Sequence, residues 1–241
     1  MSRAEPASAI VRLSHPLSES TPAYGGGAGL RVQRLTSISG GDTANSLRLD
    51  LPNHLGTHVD APSHFFDGAP TLSDYAPEDW IFSRPILVDV KVPSGALVGP
   101  EHLGDELPPD TDLLIVRTGH GRRRGEPSYW EGGPGLSAEL GTWLRNERPG
   151  VRAVGMDLIS VTTRLNRAAG REAHRAFLDP AGAGEPIRLI EDMWIDKSIP
   201  SLSWAVVVPL ELQDADGAPV TVWGFSDDLS DTSVSTKETN A

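Results

Sequence analysis

Three of the chain's seven histidines and one aspartate fall within eleven positions: His54, His58, Asp60 and His64. Imidazole and carboxylate are the groups that hold a catalytic divalent metal. The even numbering of His54, His58 and Asp60 puts all three on one face of an extended segment. Leu55, Thr57 and Val59 then point the other way, toward a core. His64 follows Pro62, so the chain has turned before it. A helix would also bring His54 and His58 together, but Gly56, Thr57, Val59 and Pro62 oppose a helix interior. The zincin pattern needs Glu after its first His, where this chain has Leu55. The competing reading is a polar loop whose histidines only make hydrogen bonds.

A divalent ion on His54, His58 and Asp60 would keep positions open for water and substrate. Such an ion lowers the pKa of a bound water to about 7 and polarises a carbonyl. No side-chain nucleophile is then needed. His64, displaced by Pro62, reads as a proton shuttle, with a fourth ligand as its alternative. Tyr24 could stack on a flat substrate or belong to the core. Asp157 could orient a ligating imidazole or simply be buried with a backbone hydrogen bond. His15, His102 and His120 have no companions at ligand spacing. His174, taken alone, reads as a helix-surface histidine.

Other templates fit poorly. There is no Gly-x-Ser-x-Gly elbow and no phosphate-binding loop. The run Gly25-Gly26-Gly27-Ala28-Gly29 follows no strand and reads as a flexible loop, a lid over the site. The chain has no cysteine, which excludes disulfides, thiolate catalysis and Cys-ligated zinc. A net charge of −12 argues against a nucleic-acid partner. Arg122-Arg123-Arg124 reads as a solvated loop. No apolar run is long enough to span a bilayer, and Met1 to His15 lacks a signal-peptide pattern. The expectation is a cytoplasmic protein with no membrane partner and a small-molecule substrate.

The elements that must position these residues are mostly strands. A chain of 241 residues can form one domain with a substantial core. Residues 1–8 and 226–241 read as tails and 9–225 as the domain. Strands are expected at 47–51, 86–92, 113–118, 153–160, 204–212 and 220–225, rich in Val, Ile and Leu and bounded by Gly, Pro or Asp. Ala215-Asp216-Gly217 reads as the turn between the last two. A helix is expected from Ser137, its N-cap, to Glu147, with Leu140, Trp143 and Leu144 on one stripe. A second, 166–178, carries His174. The fold class is α/β, a single domain with a mixed sheet or barrel-like core.

His-x-Gly-Thr-His-x-Asp-Ala-Pro-x-His, from His54 to His64, resembles the signature of the cyclase-like metal-dependent hydrolases, the family of bacterial kynurenine formamidases and isatin hydrolases. Leu13 to Leu17 with Thr21 to Tyr24, Ile86 to Val90, Val154 to Ser160, Pro209-Leu210 and Asp216 to Val220 resemble further segments of that family. The resemblance implies a swivelling β/β/α arrangement and a homodimer or higher homo-oligomer. It implies that His54, His58 and Asp60 bind a first metal, and that Asp60 bridges to a second metal completed by His174 and Glu191. It gives His64 the general acid/base role. The chain departs from the pattern between His174 and Glu191, where residues 179–186 look like an insertion. Asp192 and Glu185 are therefore alternatives to Glu191. Tyr24 stands where formamidases usually carry Trp.

The expected activity is metal-dependent hydrolysis of an amide-type C–N bond, in an arylformamide or a cyclic amide, with one or two zinc or manganese ions. Two alternatives are a metal-dependent lyase or cyclase of specialised metabolism, and a non-catalytic metal-binding protein.

Overall fold

A computed structural model of the chain describes residues 9–103 and 107–227. The expected tail 1–8 and nearly all of 226–241 lie outside the described residues.

The described residues form strands β1 (Ala9–Arg12), β2 (Arg31–Thr36), β3 (Ser46–Asp50), β4 (His58–Asp60), β5 (Ile81–Phe82), β6 (Pro85–Asp89), β7 (Leu97–Val98), β8 (Leu113–Arg117), β9 (Gly135–Leu136), β10 (Ala153–Met156), β11 (Arg188–Glu191), β12 (Trp204–Pro209) and β13 (Gly217–Ser226), short 3-10 turns and three α-helices. These are α1 (Pro127–Glu131), α2 (Ala138–Glu147) and α3 (Arg167–Leu178). Nine strands form one mixed, nearly closed, barrel-like sheet in the order β5-β12-β13-β4-β11-β10-β8-β6, with β1 paired to β13. Strands β6, β8, β10 and β11 run parallel, while β4, β12 and β13 are antiparallel to their neighbours.

The parallel strands are continuous apolar runs because both faces are covered. Leu114, Val116, Val154, Met156 and Leu189 pack with Leu140, Leu144, Ala173 and Phe177 of α2 and α3. The alternate residues Leu113, Ile115, Ala153 and Ile190 point inward onto Val59, Val207, Val220 and Val222. Ser137 caps α2, its Oγ accepting from Leu140 N at 3.1 Å, and Asn166 caps α3. Strands β2 and β3 pair with each other and stand away from this sheet, with Val32, Leu35, Leu47 and Leu49 exposed.

Several expected boundaries move. The strand expected to 160 ends at Met156, because the Asp157 carboxylate accepts from Thr118 N, Thr118 Oγ1 and Gly119 N and pins the following loop. Asp157 therefore orients a loop and not an imidazole. The strand expected to 212 ends at Pro209, which has no N–H to continue a ladder. The last strand begins earlier than expected, at Gly217. The tight turn falls at Gln213 and Asp214 (φ 56°), not at 215–217. The expected extended face from His54 to Asp60 is also corrected. Only His58–Asp60 is strand, and Gly56 at φ 70° bends the chain between His54 and His58.

Candidate metal centre

The site sits where β11 ends and β4 begins, near the carboxyl ends of the parallel strands, the usual place for a ligand in such a sheet. Glu191 closes β11 and pairs in register with His58, the first residue of β4. Asp60 lies two positions along on the same face. Leu55, Thr57 and Val59 point into the core as expected, each no more than 2% exposed. Thr57 Oγ1 donates to Asp192 O and accepts from His15 N, tying the segment down from behind.

Two imidazoles are fixed by the same device. His58 Nδ1 donates to Gly56 O, and His174 Nδ1 donates to Gly170 O one helical turn earlier, both at 2.8 Å. Each ring then presents Nε2 to the pocket. Backbone carbonyls that hold the distal ring nitrogen in this way are typical of metal-ligating histidines. His58 Nε2 lies 3.3 Å from Glu191 Oε2 and 3.5 Å from Asp60 Oδ1. His174 Nε2 lies 3.5 Å from Glu191 Oε1 and 3.8 Å from Asp60 Oδ2. His174 is 4% exposed, so the reading of it as a surface histidine is corrected: Phe65 stacks on its ring.

Of the three candidate acids, Glu191 is the one that faces the cavity. Its Oε1 also accepts from Val161 N at 2.6 Å. Asp192 is turned away by a positive φ of 52° and clasped by Arg124 and the Tyr129 hydroxyl. Glu185 lies in the exposed 180–186 loop.

The electrostatics show groups built around charge. Burial works against a charged His58 ring, but the hydrogen bond to Glu191 and the carboxylate of Asp60 outweigh it and raise its pKa to about 9. Burial likewise opposes ionisation of Glu191, and its bonds to His174 and His58 overcome this and hold its carboxyl well below the usual range. His174 is raised against burial by Glu191 and Asp60.

A divalent cation fits these donors. Asp60 is 1% exposed, and its Oδ2 is buried without a hydrogen-bond partner. An orphaned buried carboxylate oxygen is costly unless something satisfies it. Two sets of potential ligand atoms, His54-Asp60-His64 and His58-Asp60-Glu191, each lie within 4.8 Å of one another and share Asp60. The donor set is nitrogen and oxygen only, as the composition requires.

The cavity has a volume of about 290 Å³ and is lined by the six ligand-type residues with Tyr24, Phe65, Ile159, Ser160 and Thr162. Tyr24 is 36% exposed at its edge, and not in the core. His120 stacks on Tyr129 and its Nε2 bonds Tyr129 O, outside this cavity.

Sequence reasoning missed Asp216. Its Oδ2 accepts from His54 Nε2 at 2.9 Å and from His64 Nδ1 at 2.8 Å. Its position in an Asp-Gly turn signal gave no hint, because its partners lie more than 150 residues earlier. Phe65 was also missed, although it adjoins the motif.

A family model described as "Putative cyclase" matches residues 11–163. A kynurenine formamidase of Bordetella avium (strain 197N) is 26% identical over 209 residues, covering 86% of this chain and 93% of the relative. One from Bacillus mycoides (strain KBAB4) is 24% identical over 87% of this chain and 94% of the relative. Among solved structures, isatin hydrolase A from Labrenzia aggregata shares the fold with a TM-score of 0.79 at 20% identity, covering 92% of this chain and 95% of that one. The family match spans the histidine motif and most of the sheet, and the chain belongs to the Cyclase family.

Proposed function

We propose that this protein is a metal-dependent hydrolase that cleaves an amide-type C–N bond of a small aromatic substrate. The convergence of His54, His58, His174, Asp60 and Glu191 on one cavity, with an unsatisfied Asp60 oxygen, carries the reading. The kynurenine formamidase relatives and the shared isatin hydrolase fold support the amide assignment.

In this reading His54, His58 and Asp60 hold a first ion, zinc or manganese. His174 and Glu191, with Asp60 shared, hold a second where two bind. When bound, a divalent ion supplies Lewis acidity to a carbonyl oxygen and acidifies a nearby water.

The remaining steps belong to side chains. Hydrolysis forms a C–O bond, breaks the C–N bond and moves one proton from water to the departing nitrogen. His64 performs that transfer: its Nδ1 is held by Asp216, and Nε2 takes the proton and returns it to the amine. Tyr24 and Phe65 border the cavity and offer aromatic surface to the substrate ring.

The test is hydrolysis of N-formylkynurenine and of isatin by chelated protein restored with zinc or manganese. Metal-restored cleavage of either is expected. Absence of cleavage with metal bound would overturn the reading and favour the lyase or cyclase.

A homodimer belongs to the same proposal. The β2–β3 hairpin exposes Leu47 at 51% and Leu49 at 56%, and a two-stranded hairpin is marginal in water without a surface to cover it. Light scattering on the purified protein checks it. A cytoplasmic location is also proposed, and cell fractionation checks that.

Among the described residues, no helix is long and apolar enough to cross a membrane.

A further inference from the structure

Asp216 is held through both carboxylate oxygens and its backbone carbonyl. Its Oδ1 accepts from Asn53 Nδ2 at 2.7 Å, and the same amide nitrogen donates to Gly217 O at 3.1 Å. Its backbone carbonyl accepts from Ala61 N at 2.8 Å, inside the histidine motif itself. Its Oδ2 meets two imidazoles at once, His54 Nε2 and His64 Nδ1. These two rings lie 4.1 Å apart, centroid to centroid. One carboxylate oxygen therefore joins a proposed metal ligand to the proposed proton carrier.

The chemistry of that oxygen is one-sided. An ionised carboxylate only accepts hydrogen bonds. His64 Nδ1 must therefore carry a hydrogen, and in the neutral ring the lone pair resides on Nε2. Around the ring stand Phe65 edge-on at 4.9 Å and His174 at 6.0 Å, and an Asp60 oxygen lies within 4.8 Å of one of its nitrogens. The acceptor in hydrogen-bond contact with the ring is Asp216 Oδ2, at 2.8 Å from Nδ1, and it selects the tautomer.

We propose that Asp216 is the positioning residue for proton transfer, fixing the His64 ring in the tautomer that bears its hydrogen on Nδ1 and leaves Nε2 to exchange protons with the substrate. This rests on the hydrolase reading for its catalytic consequence, but the tautomer itself is a property of the folded protein. Asp216 does not touch the substrate in this scheme. It acts through His64, and through His54 it keeps the proton carrier in register with the metal ligands. Asn53 serves the same end by occupying the second carboxylate oxygen, which stops the group rotating away.

Nitrogen-15 histidine spectra of the zinc-loaded protein test this directly, recorded for the wild type, Asp216→Asn and Asp216→Ala. The wild type is expected to show His64 as the Nδ1–H tautomer. Both variants are expected to show a mixture, since neither carries an obligate acceptor. At full zinc occupancy, confirmed by metal analysis, kcat is expected to fall about 10- to 100-fold with KM within about two-fold. An unchanged tautomer in both variants overturns the proposal. So does a kcat within two-fold of wild type at full occupancy. A wild type with no amide turnover removes the hydrolase reading, and the spectra still decide the role of Asp216. If Asp216→Ala fails to fold, the near-isosteric Asp216→Asn supplies the comparison.

Discussion

Glu191 stands directly across the β4–β11 ladder from His58, and their side chains meet at 3.3 Å between Oε2 and Nε2. Residues 133 positions apart thus become neighbours through backbone hydrogen bonding, before any metal is considered. Both are buried, at 3% and 4% exposure. The strand register is therefore what assembles the candidate centre, and a change at Glu191 should read out as lost metal.

Glu191→Gln keeps the shape and removes the charge. Zinc affinity is expected to fall at least about ten-fold, measured by competition with a chelating dye. Zinc at a hundred times its Kd should stabilise the wild type by about 2.7 kcal/mol. For a chain of this size that raises Tm by roughly 5–10 °C. With affinity ten-fold weaker, the variant should show only about half of that rise at the same zinc concentration, about 1.4 kcal/mol, and less if the loss is larger. Equal rises in both proteins would remove Glu191 from the ligand set.

Gly217 offers a test that removes no ligand side chain. A Cβ there would fall 2.4 Å from His54 Cε1 and 2.8 Å from Val59 O. The imidazole can swing but the strand backbone cannot, so Gly217→Ala is expected to push His54 off its two carboxylates. The outcome should be weaker zinc binding by about ten-fold, in a protein that still folds. Unchanged affinity would mean that His54 tolerates the displacement and contributes little to binding.

The motif residues were legible because their chemistry and spacing lie in one short segment. His54, His58, Asp60 and His64 needed no long-range information. The strands at 47–51 and 113–118 and the cap at Ser137 were legible for the same reason. His174 and Glu191 entered only through the family pattern, since on its own an isolated helical histidine looks like a surface residue. The contact of Asp216 with the histidines could not be read. Its partners come to it through pairing of β13 with β4, and nothing local to an Asp-Gly dipeptide specifies that pairing. The bend at Gly56 was missed because alternation of residue types resembles a strand whether or not one glycine takes a left-handed conformation.

Arg124 and Asp192 form a buried clasp behind the site. Asp192 is 1% exposed, and its two oxygens take the guanidinium with contacts of 2.7–3.0 Å and the Tyr129 hydroxyl at 2.6 Å. Arg124→Met would leave the carboxylate buried with one hydroxyl donor. Removing one partner of a buried pair costs about 3–5 kcal/mol, and the partly exposed guanidinium places this case at the lower end. Tm is expected to drop by roughly 6–12 °C in thermal denaturation. Zinc binding should weaken as well, because the clasp holds Asp192 in its positive-φ conformation directly after Glu191. A thermally neutral Arg124→Met would show that water solvates Asp192 readily.

His15 makes stability depend on pH. Its ring stacks on Trp194 at 5.5 Å, and burial lowers its pKa to about 4, with the nearby Asp192 only partly offsetting that. The unfolded chain protonates this ring near 6.5. Between those two values the unfolded state binds more protons than the folded one, so stability falls as pH falls from about 6.5 toward 4. The loss is complete below the folded pKa, and above 6.5 the group contributes no slope. Tm measured across this range for the wild type and for His15→Gln should separate the effect from that of other groups. The variant is expected to lose less stability than the wild type between pH 6.5 and 4. Parallel curves would mean that His15 titrates alike in the folded and unfolded chains, and that its contact with Trp194 does not exclude the proton.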